Sequence, residues 1–301
     1  MDVGVQIPAT AETGDMVSLG RLAEDLGFES YFIGEHVTVP SGFRSVAPGS
    51  HQGILPEHYG RWMDPLVVLA AVAGATSRIK LGTGVCLPVQ RNVLVLAKEI
   101  ATLDVLSGGR LVVGVGAGWI REECEAAGIP FGQRWKRLRE SVEAMRILWR
   151  EAEASYQGET ISFPPLRCEP KPVQAGGPPI LLGAGGAALG GNPRVIERVA
   201  RTYDGWFPVA GDPAIMGAEI ATLRRLARTY GRASSITVTA MFAEPAERAT
   251  VDRLSRLRDA GVSRIVLHER SDVIAMAAGR GQAAEIMKRL SAVCERAASI
   301  S

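Results

Sequence analysis

The chain has 301 residues, 47% of them hydrophobic, and its 34 basic and 32 acidic residues leave a formal net charge of +2 at pH 7. This length suits one large domain or two, and the balanced charge argues against nucleic acid or an anionic membrane as the main partner, which favours small molecules. The most apolar run, residues 65–75, is shorter than the ~20 residues that cross a bilayer. Because the first residues also lack the features of a signal peptide, we expect a cytoplasmic protein with no membrane or nucleic-acid partner.

Short apolar strands alternate with amphipathic helices along the whole chain. Strands are predicted over residues 3–7, 30–36, 78–88, 110–118, 178–186, 204–209, 234–242 and 263–269. Helices are predicted over residues 15–28, 64–77, 93–108, 134–150, 192–202, 212–231 and 244–261, with a further helix at the C-terminus. Three stretches are predicted to be irregular, over residues 37–61, 119–134 and 155–177.

Eight strands, nearly all followed by a helix, indicate a (β/α)₈ TIM barrel with loop insertions. Most of these strands are too apolar to leave a face in water, as is typical of buried parallel strands. A doubly wound sheet with a small second domain is the alternative. Because no stretch has the composition of a domain linker, we favour a single barrel domain over residues 1–301.

The cysteines do not indicate a disulfide framework or a metal site. Cys86, Cys124, Cys168 and Cys294 are far apart and form no CxxC or Cys/His cluster. We therefore predict four reduced thiols and no bound metal.

Glycines accumulate where the predicted strands end, which is where TIM barrels place their active sites. The clusters lie at residues 84–86, 116–119 and 183–186. Bare backbone at several converging strand ends admits a broad, flat ligand, or it relieves crowding at the barrel corners, and the sequence leaves both explanations open. The cluster at 183–186 precedes a predicted helix, so we interpret it as a phosphate-binding loop rather than as a dinucleotide fingerprint.

Four stretches together resemble the luciferase-like monooxygenase superfamily: GEH at 34–36, the run at 76–119 that ends in GVGAGW, LLGAGG at 181–186 and YDGWFP at 203–208. The similarity covers most of the chain, and the run at 76–119 is its most specific part. The resemblance implies a (β/α)₈ barrel that binds FMN or the deazaflavin coenzyme F420. GEH and GVGAGW are more similar to the F420-dependent branch.

The resemblance also implies a role for individual residues. His36 corresponds to the active-site histidine of the deazaflavin branch, and histidine suits a proton transfer because it titrates near neutral pH. Gly84 and Val85 correspond to a bulge with a non-prolyl cis peptide that supports the cofactor ring. The other positions that correspond to cofactor contacts are Glu35, Ala117, Gly118, Glu122, Gly185 and Gly186.

One departure from the family bears on the substrate. The family's sugar-phosphate dehydrogenases carry a glutamate where this chain has Trp119, so the resemblance disfavours that activity. Tyr59, Trp62 and Trp119, with Trp206, are candidates for an apolar substrate pocket. No role is assigned to His51, His58 or His268.

The sequence therefore predicts an F420-dependent oxidoreductase that transfers a hydride between the deazaflavin C5 and a small, apolar organic substrate. An FMN-dependent two-component monooxygenase of the same fold is the first alternative. A barrel that binds a flavin without catalysis is an alternative of another class. The resemblance also implies a homodimer.

Overall fold

The computed structural model describes the chain except for residues 43, 47–56, 187–191, 233–235, 269, 280 and 301. In these described ranges, eight parallel strands close into a barrel in the order β1-β10-β9-β8-β7-β4-β3-β2. The barrel strands are β1 (Asp2–Gln6), β2 (Ser30–Ile33), β3 (Lys80–Cys86), β4 (Leu111–Val115), β7 (Ile180–Gly183), β8 (Gly205–Phe207), β9 (Thr237–Phe242) and β10 (Arg264–Leu267). The predicted TIM barrel is confirmed, and the doubly wound alternative is wrong.

Helices surround the barrel, and several begin at an Asp-Pro or Asn-Pro pair. Asp64, for example, accepts hydrogen bonds from the backbone N–H of Leu66 and Val67, while Pro65 occupies the first turn, where its missing N–H costs nothing. The helices are α1 (Met16–Asp25), α2 (Pro65–Ala73), α3 (Val93–Ser107), α4 (Arg121–Ala126), α5 (Arg134–Arg150), α6 (Pro193–Thr202), α7 (Pro213–Thr229), α8 (Val251–Ala260), α9 (Arg270–Ala278), α10 (Gln282–Leu290) and α11 (Ala292–Ala298). None of the helices in the described ranges is long and apolar enough to cross a membrane.

Two of the predicted irregular stretches contain regular structure. An antiparallel hairpin of β5 (Ala154–Gln157) and β6 (Ser162–Leu166) occupies the first part of the predicted irregular stretch 155–177 and begins one residue before it. This strand was not predicted from the sequence because β6 contains two prolines, and proline is typical of strand edges and turns. The short helix α4 lies within residues 119–134, and the single predicted C-terminal helix is three helices, α9 to α11.

A layer of inward-facing side chains fills the barrel below the C-terminal ends of the strands. Phe32 of β2 and Phe207 of β8 meet edge to face, with ring centroids 5.4 Å apart. They belong to a buried cluster with Val112, Leu181 and Val266. This packed layer closes the barrel interior, so a ligand has room only above it, at the mouth formed by the loops that follow the strands.

An ion pair fastens the opposite, N-terminal end of the barrel. Both carboxylate oxygens of Glu29 accept hydrogen bonds of 2.7 Å from Arg264, and the Lys80 ammonium lies 2.6 Å from the same carboxylate. Burial raises the pKa of Glu29, but the hydrogen bonds and charges of Arg264 and Lys80 outweigh it and lower that pKa to about 2. Glu29 precedes β2, Arg264 begins β10 and Lys80 begins β3, so the pair ties together strands that are distant in sequence.

Candidate active site

His36 lies at the barrel mouth, three residues beyond the end of β2, and a buried glutamate holds it. Its Nδ1 is 3.2 Å from Oε2 of Glu123, while Oε1 of Glu123 accepts a 3.1 Å hydrogen bond from the backbone N–H of Val37. The side chains of His36 and Glu123 are 7% and 1% exposed. Because a carboxylate only accepts hydrogen bonds, this contact places a proton on Nδ1 and leaves Nε2 to face other partners.

Three aromatic side chains surround the His36 imidazole. The ring centroids of Tyr59, Trp62 and Trp119 lie 5.0, 5.6 and 6.0 Å from that of His36. The structure thus brings the three predicted pocket residues together around the predicted catalytic residue. His58, to which the sequence assigned no role, stacks on Trp62 with a centroid distance of 6.3 Å.

Trp206, the remaining aromatic candidate for the pocket, lies in the core. Trp206 is 1% exposed, and its indole N–H donates a 2.9 Å hydrogen bond to the carbonyl of Ala184, so it is a core residue. His268 directly follows β10. His51 lies outside the described residues.

The two neighbouring glutamates of α4 divide their contacts. Glu123 contacts His36. Glu122, which the resemblance implied as a cofactor contact, accepts 2.7 Å hydrogen bonds from the Arg44 backbone N–H and the Ser45 hydroxyl. The hydrogen bond from Arg44, followed by that from Ser45, holds the pKa of Glu122 below its ordinary value. Glu123 was not among the residues predicted from the sequence. Adjacent helical residues point about 100° apart, so one position in the REE run decides which glutamate meets the histidine.

Glu35 is 4% exposed, and both of its oxygens have protein partners. Oε2 accepts a 2.6 Å hydrogen bond from the Leu87 backbone N–H, and Oε1 accepts from the Arg91 guanidinium, which also contacts Asp64 at 2.5 Å. Burial opposes the charge on Arg91, yet Glu35 raises the pKa of that guanidinium. Glu35 therefore anchors the loop that follows β3.

Cys86, at the end of β3, lies beside this network and is fully buried. Burial and the neighbouring Glu35 carboxylate raise the pKa of the Cys86 thiol well above its ordinary value. A thiol is nucleophilic only as the thiolate, so Cys86 is an inert packing residue. In the part of the chain that the structure describes, no group of three or more His, Cys, Asp or Glu residues is arranged to hold a metal.

The peptide bond between Gly84 and Val85 is cis, and the pairing of β3 with β4 shifts register between Thr83 and Cys86. Both features were expected at this position. The Val85 side chain lies across the ends of β4 and β7, because a Cβ on Gly116 would approach Val85 Cγ2 to 2.8 Å and one on Gly183 would meet Val85 Cγ1. A Cβ on Gly114 would meet the Thr83 carbonyl. Neighbouring protein atoms, rather than a ligand, thus explain these three glycines.

Gly118 is different from the other glycines of β4 and its loop. Its φ is +73°, a conformation that favours glycine, and the nearest atom to a Cβ built there is Nε2 of Gln90, at 3.6 Å. Ala117, beside it, is 4% exposed. The protein leaves space for a Cβ at Gly118, so the left-handed φ, rather than crowding, is what favours glycine there.

Several buried polar atoms at the mouth have no hydrogen-bond partner. They are Oε1 of Gln6, both amide atoms of Gln90 and Nε1 of Trp62. The other amide atom of Gln6 donates a 2.7 Å hydrogen bond to the Gly84 carbonyl, next to the Val85 bulge. Buried polar groups are nearly always paired, so unpaired ones around one opening fit a ligand with hydrogen-bonding edges. A flat heterocycle such as a flavin or deazaflavin meets that description.

Gly185 and Gly186 follow β7 with φ values of +66° and +114°. The Gly185 carbonyl accepts a 3.1 Å hydrogen bond from Val209, so this turn packs against the end of β8. Helix α6 then begins at Pro193, with Asn192 capping the N–H of Arg194. Residues 187–191, which join the glycines to the helix, lie outside the described residues.

Comparison with known proteins identifies the family. Residues 1–294 match the model of the luciferase-like monooxygenases. The chain belongs to this family. It is accordingly an oxidoreductase. An uncharacterized protein of Mycobacterium tuberculosis is 38% identical to this chain over 247 residues, which cover 82% of this chain and 84% of that protein.

Two further similarities involve proteins named for coenzyme F420. The F420-dependent glucose-6-phosphate dehydrogenase of Nocardia farcinica is 33% identical over 203 residues, which cover 65% of this chain and 53% of that enzyme. The structure of an F420-dependent secondary alcohol dehydrogenase in complex with an F420-acetone adduct superimposes with a TM-score of 0.74 at 17% identity, covering 99% of each chain. At such low identity the second similarity shows a shared fold alone.

Proposed function

We propose that this protein is a coenzyme F420-dependent oxidoreductase that transfers a hydride between the deazaflavin C5 and a small, apolar organic substrate. The observation that carries the proposal is the His36–Glu123 pair, set among three aromatic rings at the barrel mouth. The dehydrogenase of N. farcinica, whose name includes F420 dependence, supports the choice of cofactor.

His36 holds the proton that must accompany the hydride. Reduction of a ketone adds a hydride to carbon and a proton to oxygen, and the bound deazaflavin supplies the hydride chemistry. Nδ1 of His36 donates to Glu123, so the Nε2 proton is the one that passes to the substrate oxygen. The contact with Glu123 at Nδ1 fixes the orientation of the imidazole.

Val85 and the Ala117–Gly118 backbone would hold the ring of the cofactor in this proposal. Gly185 and Gly186 begin the loop that receives its phosphate. The contacts of Glu35 and Glu122 favour a positioning role for both, since each carboxylate already accepts hydrogen bonds from the protein.

The substrate class follows from the walls around His36. Tyr59, Trp62 and Trp119 form a predominantly apolar surface, which suits a ketone, imine or activated alkene with an apolar body. A sugar phosphate is a poor match, because Trp119 stands where the sugar-phosphate dehydrogenases of the family carry a glutamate.

The proposal is tested by titrating the purified apoprotein with oxidised F420 and separately with FMN, followed by tryptophan fluorescence. Tight binding of F420 alone, with ketone reduction by the reduced cofactor, supports it. A preference for FMN supports the two-component monooxygenase instead, which the family description keeps as the second candidate. Binding without turnover of any substrate favours a flavin-binding protein that is not an enzyme. Unchanged activity and cofactor affinity in His36→Ala would contradict the role given to His36.

We also propose that the protein forms a homodimer through α2 and α3. Helix α2 has no polar side chain, and Val67 on its outer side is 70% exposed. On α3, Val95 and Leu106 are 54% and 61% exposed. A helix that is apolar on all sides is normally covered. Light scattering is expected to give the dimer mass for the wild type and the monomer mass for Val67→Glu, whereas a monomeric wild type would contradict the proposal.

A further inference from the structure

Gln90 carries a buried amide that the protein itself does not use. It ends the short 3-10 turn Pro88–Gln90, which follows β3. Neither Oε1 nor Nε2 has a hydrogen-bond partner, although both atoms are buried. Exchanging the two atoms by a 180° rotation of the amide leaves the same two unpaired positions, so the observation does not depend on how the amide is oriented.

The surroundings of Gln90 give no structural reason for a glutamine. Leu87 and Val89, in the same turn, are 4% and 0% exposed. An apolar side chain of similar length would fill this space without leaving a donor and an acceptor unpaired. A partner outside the protein chain is therefore the physical explanation for an amide at this position.

The position of Gln90 indicates which ligand atoms it meets. Its Nε2 lies 3.6 Å from the point where a Cβ on Gly118 would stand, and Gly118 lies in the loop that follows β4. Gln90 is also five residues beyond Val85, which the proposed function assigns to the cofactor ring. The amide is thus next to the residues that the proposed function assigns to the cofactor ring.

We infer that Gln90 hydrogen-bonds the imide edge of the bound flavin or deazaflavin, an inference that rests on the proposed function. The pyrimidinedione of both cofactors presents a carbonyl beside an N–H. A carboxamide offers an N–H beside a carbonyl, so the two groups pair through two parallel hydrogen bonds. Gln90 recognises the part of the ring that the two cofactors share, and it does not choose between them.

The first experiment compares Gln90→Met with Gln133→Met, which makes the same change at an exposed glutamine. The dissociation constants for oxidised F420 and FMN are measured by tryptophan fluorescence, and the melting temperature of each apoprotein by calorimetry. We expect Gln90→Met to weaken binding about 10- to 100-fold, because two buried hydrogen bonds are lost. The melting temperature of its apoprotein is expected to stay the same or rise, since two unpaired polar atoms disappear. Gln133→Met is expected to match the wild type in both measurements.

The second experiment uses the bound cofactor methylated at its imide nitrogen. Methylation removes the N–H that is inferred to donate a hydrogen bond to Gln90. We therefore expect it to weaken cofactor binding to the wild type about tenfold or more and to have a much smaller effect on binding to Gln90→Met. An equal effect of methylation on both proteins overturns the inference, as does a lower melting temperature of the Gln90→Met apoprotein, which would indicate a structural role. Wild-type protein that binds neither cofactor refutes the proposed function and the inference with it. Wild-type binding that Gln90→Met leaves unchanged refutes the inference alone.

Discussion

The contact between Val85 and the glycines of β4 and β7 leads to a quantitative prediction. A Cβ added to Gly116 would lie 2.8 Å from Val85 Cγ2, about 1 Å closer than ordinary carbon contacts allow. Gly116 and Gly183 both have φ values outside the left-handed region, so alanine is acceptable to the backbone and the cost is steric alone. We expect Gly116→Ala to lower the free energy of unfolding by about 1–3 kcal/mol, the usual cost of overpacking.

A double-mutant cycle separates this explanation from one based on the ligand. Val85→Ala removes the atoms that the new methyl group meets, so Gly116→Ala should cost much less in that background, with a coupling free energy of about 1 kcal/mol or more. Urea unfolding of the apoprotein, monitored by circular dichroism, provides the four free energies. Additive effects of the two substitutions would refute the reasoning, and the glycine would then need another cause. Gly183→Ala is expected to follow the same cycle.

The remaining predictions concern charged residues. Glu123→Gln is expected to lower kcat about 10- to 100-fold, because the His36 imidazole loses the carboxylate that orients it, with an unchanged cofactor dissociation constant. Glu125→Gln, on the exposed side of the same helix, should leave kcat unchanged. The pKa of Glu29 is lower in the folded protein than in the unfolded chain, so ionised Glu29 stabilises the fold above pH 4.5. About 3 kcal/mol of the free energy of unfolding is lost as the pH falls towards 2. The urea unfolding curves of Glu29→Gln and the wild type should therefore converge in acid. Arg91→Met leaves Glu35 buried without its cation and should lower the free energy of unfolding by about 3–5 kcal/mol. The double variant Arg91→Met/Glu35→Gln should lose less, and equal losses in the two proteins would contradict the pairing.

The sequence was sufficient for the barrel because the signals for it are local and repeated. A short apolar run in the sequence predicts each buried strand, and pairs such as Asp64-Pro65 predict where helices begin. Location at a strand end also identified His36 as a residue of the barrel mouth. The β5–β6 hairpin was missed because its second strand contains prolines, whose effect on local propensity is stronger than the tertiary contacts that form the hairpin.

The contacts within the site were harder to predict, because they depend on side-chain direction. Glu122 and Glu123 are the same residue type one position apart, and only the rotation of α4 decides that Glu123 meets His36. The glycines at 114 and 116 suggested a ligand in the sequence, but they serve contacts with Thr83 and Val85 that form when β3 pairs with β4. Such contacts join residues about 30 positions apart and leave no mark on local periodicity.

The two glutamates of α4 have one further consequence. Glu123 holds the base of the segment after β2, at His36 and Val37, while Glu122 holds the same segment further along, at Arg44 and Ser45. Both contacts leave from one helical turn, so a displacement of that turn moves the imidazole and the segment above it together. The orientation of the His36 imidazole and the position of the segment above it are therefore mechanically coupled, and we expect substitution of Glu122 or Glu123 to change both together.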